Sequence, residues 1–358
     1  MLSRQAIERV AAVLKRGELA ILPTDTVPGI FVKDTPEGER RLRGLKGRDS
    51  MKPFARMFGS RKQLAERVNV QSKMQELALE RLLPGRVTLI LPAREKGNEP
   101  IGVRLPMDAS LRALACRTGP LIATSANLSG EELRDQARLP DGLVAEVGLV
   151  EGDASQESLD LKPIASTVVD LTGERPAILR KGACSIWTVA RRLNKTPCLA
   201  FPQELNVLFV CGGNTCRSPM AAALFRARCI SPRVNVRSAG LSAAKGSQAA
   251  RLARMVMREQ GLSLEDHRSK ELSDELAAWA DLILAMTRGH LLRIRRRYAR
   301  FSDRTFLLTG FPKPWPHGRN IDDPIGGSPG IYKRTYQQIQ LHIHSICPKI
   351  EKVLTQAN

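Results

Sequence analysis

The sequence predicts an α/β fold in two domains, and three observations carry that expectation. Its 358 residues are enough for two hydrophobic cores. In the first half, β-rich apolar runs and helix-period segments mix without strict strand–helix alternation, which predicts a mixed, twisted sheet. In the second half, residues 206–220, NVLFVCGGNTCRSPM, read as a strand, a glycine-containing loop and the start of a helix.

The elements follow in order. Ala6, Val10, Val13 and Leu14 recur at helical spacing, so a helix opens the chain and Gly17 ends it. ELAILPTDTVPGI is a strand that breaks at Pro23, and EGERRLRGLKGRDSMKPF is a basic helical segment. A second helix spans residues 71–83 and stops at Pro84-Gly85. RVTLILPA and IGVRLP are strands, and PLIATSANLSG is a strand running into a Ser/Asn/Gly-rich turn. ASTVVDLTG and PAILRKG close the domain as strands around a turn. Residues 1–183 thus form the first domain, 184–204 a linker and 205–358 the second domain. The linker holds Pro197, Pro202 and an apolar-basic WTVARRL of helical character, so it is not a low-complexity tether.

Composition narrows the function classes. The N-terminus, MLSRQAIERVAAVLKRG, is amphipathic and charged, and no apolar run approaches bilayer length, so neither a signal peptide nor a membrane span is expected. The seven cysteines are odd in number and scattered, which argues for a reducing cytoplasm over a disulfide framework, and none lies at zinc spacing. The net charge of +20 is uneven. Residues 1–183 carry 29 Lys and Arg against 24 Asp and Glu, and the remainder 27 against 12. The densest run, RGHLLRIRRRYAR, reads first as a solvated helix face; attraction to phosphorylated protein or RNA is the sharper alternative.

The chemistry of the second half centres on Cys211. Loop amides and a helix N-terminus pointing at one spot make a site for phosphate. The same field favours a thiolate at Cys211, and Arg217 offers a planar fork to two phosphate oxygens. Ser218 suits the N-cap and Pro219 the first helical position. A nucleophile and an anion site in one loop point to phosphoryl transfer through a phosphocysteine. The bare spacing C-x5-R is weak, and the strand before it, Gly212 and Gly213 within it and the helix after it supply the context.

VCGGNTCRSPMAAA resembles the active-site loop of the low-molecular-weight protein tyrosine phosphatase family, and RSAG, DHRSKEL, ADLILAMT and DDPIGG follow in the family's order. The resemblance covers residues 205–358 and implies a flavodoxin-like, Rossmann-like parallel sheet. It implies Cys211 as nucleophile, Arg217 on the phosphate and Asp323, directly before Pro324, as general acid. It makes Gly212, Gly213, Asn214, Thr215, Cys216 and Ser218 the phosphate loop, with Ser218 donating to the thiolate and Asn214 bracing the turn. Cys216 has two readings, a space-filler or a thiol that traps oxidised Cys211 as a reversible disulfide. Thr215 before Cys216, with the glycines after Ile325, resembles the protein-arginine-phosphatase branch more than the tyrosine-directed one.

In the first half, Lys46, Arg48 and Lys52 are cations around a glycine near an extended Pro-Thr-Asp-Thr. Ser125 and Asn127 sit on a turn after a strand, with Arg104 and Arg180 near strand ends. Any one of them reads as ordinary basic or turn-forming surface; as a set they suit a nucleotide triphosphate and a small carboxylate. PTDTVPGI, LKGRDSMKPF, LPGRVTLIL, GVRLP, ATSANLSG, STVVDLTG and ILRKG together resemble the threonylcarbamoyl-adenylate synthase (YrdC-like) family over residues 3–183. That resemblance implies threonylcarbamoyl-AMP made from L-threonine, bicarbonate and ATP with Mg²⁺, for tRNA modification. It places Lys46, Arg48, Lys52, Ser125, Asn127 and Arg180 on ATP, and Thr26, Arg104 and Ser166 near threonine. Pro28, Phe31 and Asp108-Ala109 depart from the family pattern.

The sequence therefore reads as a two-headed cytoplasmic enzyme, a synthase followed by a phosphatase acting on phosphorylated protein. Neither a resident metal nor a membrane partner is expected, and the phosphatase half needs no cofactor. The alternative makes the first domain a non-catalytic RNA- or nucleotide-binding module, with RNA or tRNA-modification proteins as partners; the presence of Lys46 and Arg48 favours the synthase.

Overall fold

The computed structural model describes residues 2–46, 53–95, 97, 99–126, 149–150, 163–314 and 316–355. It divides into two compact units: Met1–Cys184 with Val189–Lys195, and Ser185–Thr188 with Thr196–Asn358.

Unit one is built on a mixed sheet. Its strands are β1 (Ala20–Leu22), β2 (Gly29–Lys33), β3 (Ala55–Met57), β4 (Val87–Leu91), β5 (Ile101–Arg104), β6 (Leu121–Ser125), β7 (Leu149–Val150), β8 (Thr167–Asp170) and β9 (Ala177–Arg180). They lie in the order β9-β8-β4-β5-β3-β6-β2-β1-β7. The β1–β7, β3–β5 and β4–β8 pairs are parallel and the others antiparallel. The period of two sends neighbouring residues to opposite faces. Ala20, Leu22, Phe31 and Leu121 pack with Val10 and Leu14 of helix Arg4–Lys15 and Leu111 and Leu114 of helix Ala109–Thr118. Ile21, Ile30, Val32 and Ile122 pack on the other face with Leu42 of helix Pro36–Lys46. Both faces are covered, which is why these strands are apolar almost throughout.

The opening helix starts where Ser3 accepts from the Ala6 amide and ends before Gly17, whose φ of 78° suits glycine. The basic helix spans Pro36–Lys46; residues 47–52, with Arg48 and Lys52, lie outside the described residues, as does Asn127. Helix Ile186–Leu193 fills the segment read as a linker.

In unit two, a short strand β10 (Cys198–Leu199) precedes β11 (Leu205–Cys211), β12 (Val234–Gly240), β13 (Leu282–Ala285) and β14 (Thr305–Leu307). The last four form a parallel sheet in the order β12-β11-β13-β14. Val207–Val210 are fully buried, and Phe209 meets Phe225 of helix Arg217–Arg228 with ring centroids 5.5 Å apart. In such sheets ligands bind beyond the carboxyl ends of the strands, where the order reverses. That point is the end of β11, and Cys211 is its last residue. Among the described residues no helix is long and apolar enough to cross a membrane.

Candidate active sites

The loop after β11 is a cradle whose carbonyls point away from its centre. Gly212, Asn214 and Thr215 carbonyls accept from the Ser242 amide, His267 Nε2 and the Ala250 amide at 3.0, 2.7 and 2.9 Å. The amides of Gly212, Gly213, Thr215 and Cys216 have no partner among the described residues. Successive free amides in such a turn form an anion-binding nest. Gly240 permits the tight approach: a Cβ there would lie 2.5 Å from the Gly212 carbonyl oxygen.

Asn214 is the brace. It is fully buried and holds φ at 54°, a left-handed conformation that asparagine tolerates better than most residues. Its Nδ2 donates to Ser218 Oγ and Ser238 Oγ, both at 2.9 Å, and its Oδ1 accepts from the Lys270 amide at 3.0 Å. Cys211 Sγ lies 3.0 Å from Ser218 Oγ and accepts from the Asn214 amide at 3.3 Å.

Ser218 is not the N-cap: the helix begins at Arg217 with Cys216 as its cap and no side-chain cap bond. The Ser218 hydroxyl is committed to Cys211 and Asn214, and the cap position moves two residues earlier.

Arg217 is buried beneath the loop. One of its terminal nitrogens pairs with Asp323, which is half exposed, and the other donates to the Ile321 carbonyl at 3.3 Å. Its Nε is buried with no hydrogen-bond partner among the described residues. Cys216 Sγ lies 3.4 Å from the Tyr332 hydroxyl, and burial pushes its thiol above the ordinary range despite hydrogen bonds from Tyr332 and Thr215.

The sequence reading missed Ser238, His267, Tyr332 and His290 around this loop. Ser238 and His267 lie inside the RSAG and DHRSKEL stretches already singled out, but only the fold brings them behind Asn214. His290 is pushed down to about 4, first by burial and then by Arg217, and among the described residues its buried Nδ1 has no partner. It is neutral at pH 7. Its unfolded value near 6.5 means the unfolded chain binds the extra proton between about pH 6.5 and 4, so stability falls as pH drops through that window. His290→Gln should therefore lose less thermal stability between pH 7 and pH 5 than wild type; equal losses in both proteins would contradict this. The partial exposure of the ring keeps the effect modest.

Unit one gathers its candidate residues in separate clusters. Arg104, at the end of β5, pairs with Asp25 at 2.7 Å and donates to Thr26 Oγ1 at 3.2 Å. Asp25 also accepts from the Met107 amide at 3.0 Å. Both side chains of the pair are largely buried, and burial pushes the Arg104 guanidinium down while Asp25 opposes it. Arg104 Nε is buried without a partner among the described residues. Ser166 Oγ lies 2.9 Å from Thr88 Oγ1, and Arg180 donates to both the carbonyl and hydroxyl of Ser166. Arg180 and Ser166, assigned to different substrates from the sequence, thus sit together. Lys46 is buried and its Nζ donates to the Ser125 carbonyl at 3.0 Å. Asp25 and Thr88 were not foreseen; Asp25 stands inside PTDTVPGI, and its value lies in the distant Arg104 it holds.

Comparison with known proteins agrees with both halves. A family model described as telomere recombination (Sua5/YciO/YrdC) matches residues 12–182, and one described as low molecular weight phosphotyrosine protein phosphatase matches residues 206–356. A protein-arginine-phosphatase of Geobacillus stearothermophilus is 41% identical over 40% of this chain and 95% of its own length. A Mycobacterium leprae protein, named provisionally as a threonylcarbamoyl-AMP synthase, is 30% identical over 54% of this chain and 90% of its own. A low molecular weight protein-tyrosine-phosphatase of Acinetobacter johnsonii is 34% identical over 38% and 92%. The chain belongs to both families, the Sua5/YciO/YrdC family through its first half and the low-molecular-weight phosphatase family through its second. It carries a threonylcarbamoyl-AMP synthase-like domain and a protein phosphatase domain.

Proposed function

We propose that this chain is a bifunctional cytoplasmic enzyme of two domains, residues 1–183 and 205–358. The second domain hydrolyses phosphorylated protein through a phosphocysteine, and the observation that carries this is the loop itself. Free amides surround Cys211, and the unpartnered Nε of Arg217 lies beneath them.

Phosphate oxygens take up the loop amides and the free Nε of Arg217, and Ser218 donates to the Cys211 thiolate. The thiolate attacks phosphorus in line, the S–P bond forms, and the bond to the leaving group breaks as Asp323 delivers its proton. Asp323, now a carboxylate, takes a proton from water, whose oxygen attacks phosphorus and releases inorganic phosphate and free Cys211. The protein supplies positioning and charge, which is most of what phosphoryl transfer requires.

Phosphoarginine is the substrate we favour. The carriers are Thr215 in the loop and the likeness to a relative named for that activity. Phosphotyrosine is the second reading, since a relative named for tyrosine also matches. Thr215→Ile should lower phosphoarginine turnover and raise phosphotyrosine turnover, measured side by side on the same protein. Equal losses on both would mean that Thr215 only supports the loop. Asp323→Asn should cost about 10²-fold or more in kcat/KM on phosphoprotein and far less in kcat/KM on p-nitrophenyl phosphate, whose phenolate leaves without a proton when the phosphocysteine forms.

The first domain is proposed to make threonylcarbamoyl-AMP and pyrophosphate from L-threonine, bicarbonate and ATP, for tRNA N6-threonylcarbamoyladenosine. Lys46, Arg48, Lys52, Ser125, Asn127 and Arg180 would bind the nucleotide. Thr26, Arg104 and Ser166 would hold threonine, and the unpartnered Arg104 Nε suits its carboxylate. Asp25 would orient Arg104. Mg²⁺ belongs on the phosphates of ATP in this reading; among the described residues no group of three His, Cys, Asp or Glu side chains is placed to hold an ion. Formation of threonylcarbamoyl-AMP by the purified chain tests it. A chain that binds ATP or tRNA without forming the product would be the non-catalytic module instead.

A further inference from the structure

The back wall of the Cys211 loop is also the wall of a second cavity, of about 390 Å³. Arg226, Arg237, Arg268 and Lys270 line it. Among the described residues none of the four has a carboxylate partner, although Asp266 is on the same lining. Arg226 donates to the Val236 carbonyl, Arg268 to the carbonyls of Glu265 and His267, and Arg237 stacks its guanidinium 4.4 Å above the Trp279 ring. These contacts orient the side chains without neutralising them, and with one carboxylate, Asp266, against four cations the lining stays positive. His267, also on the lining, is held below the ordinary histidine range, first by burial and then by Lys270, Arg226 and Arg268.

The cavity touches the loop through three residues that line it. Ser238, His267 and Lys270 are the partners of Asn214 outside the loop, at 2.9, 2.7 and 3.0 Å. A charge that settles among the four cations therefore acts on the groups that fix the turn.

We propose that this cavity is a second anion site, separate from the Cys211 cradle, which takes a compact polyphosphate of the pyrophosphate class and acts on the Cys211 loop through Asn214. Four unpaired cations around so small a volume match two linked phosphoryl groups. An RNA backbone would need a longer open track. Guanidinium forks suit phosphate oxygens bidentately.

The test is calorimetric titration of the full chain with pyrophosphate, with and without saturating orthovanadate as an occupant of the Cys211 cradle. Arg226→Ala/Arg268→Ala should lose one binding event that vanadate does not remove, and Arg226→Lys/Arg268→Lys should recover it. Inorganic phosphate run in parallel should bind at least ten-fold more weakly at that site. In a second arm, pyrophosphate should change kcat on saturating aryl phosphate by two-fold or more, and the alanine double variant should keep the basal kcat but not the response. That arm rests on the phosphatase reading; the calorimetric one does not. Identical isotherms for wild type and the alanine variant, binding of an RNA oligonucleotide in place of pyrophosphate, or pyrophosphate binding with kcat unmoved would each overturn the proposal.

Discussion

Cys211→Ser is expected to abolish phosphatase turnover, by at least ~10³-fold on any phosphate ester. The hydroxyl occupies the same end of β11, faces the same amides and keeps a hydrogen bond to Ser218, so binding of phosphate should survive. What is lost is the nucleophile, because a serine hydroxyl is far less acidic than a thiol and no general base touches it in this loop. Activity on p-nitrophenyl phosphate and on phosphoarginine protein would be read together, with orthovanadate affinity as the control for an intact loop. Residual activity near wild type would remove the phosphocysteine from the account. Loss of vanadate binding as well would mean that the thiol also holds the loop together.

The second large effect is expected at Lys46. Its ammonium is buried and held by the Ser125 carbonyl, so the charge has a fixed position at the end of β6. If that charge meets the phosphates of ATP, Lys46→Ala should lower ATP- and threonine-dependent pyrophosphate release by about 10²-fold or more. Phosphatase activity of the same sample should stay within two-fold of wild type, and an unchanged thermal transition of unit one separates a local loss from misfolding of that unit. Lys46→Arg keeps the charge but enlarges the head in a buried place and should recover only part of the rate. Unchanged pyrophosphate release in Lys46→Ala would remove Lys46 from the nucleotide site.

Much of this was legible in the sequence because the governing physics is local. Val207–Val210 followed by Cys211, two glycines and Arg217 could be read as strand, anion loop and helix, since each choice depends on neighbours a few residues away. The strands of unit one were readable by their apolar runs, and their mixed directions were expected from the lack of alternation. The contacts that sequence distance hides were not legible. His267 reaches Asn214 across 53 residues, Tyr332 reaches Cys216 across 116 and Asp25 reaches Arg104 across 79. No propensity or spacing encodes these pairs; they exist because the sheets and the helices packed on them bring distant segments of the chain together. The error at Ser218 has a different origin, within the loop itself. Its residue type suits an N-cap, and the demands of the Cys211 thiol and the Asn214 side-chain amide on its hydroxyl overrode that preference.

The central claim is that phosphate passes through Cys211. Asp323→Asn should slow hydrolysis of the intermediate more than its formation from p-nitrophenyl phosphate, so the phosphoenzyme should accumulate in that variant. Acid-quenched protein from steady-state turnover, digested and mapped by mass spectrometry, should carry one phosphoryl group on the peptide containing Cys211, and none when Cys211→Ser is added. A phosphoryl group on another residue, or multiple turnovers with no covalent phosphoenzyme in either protein, would contradict the account.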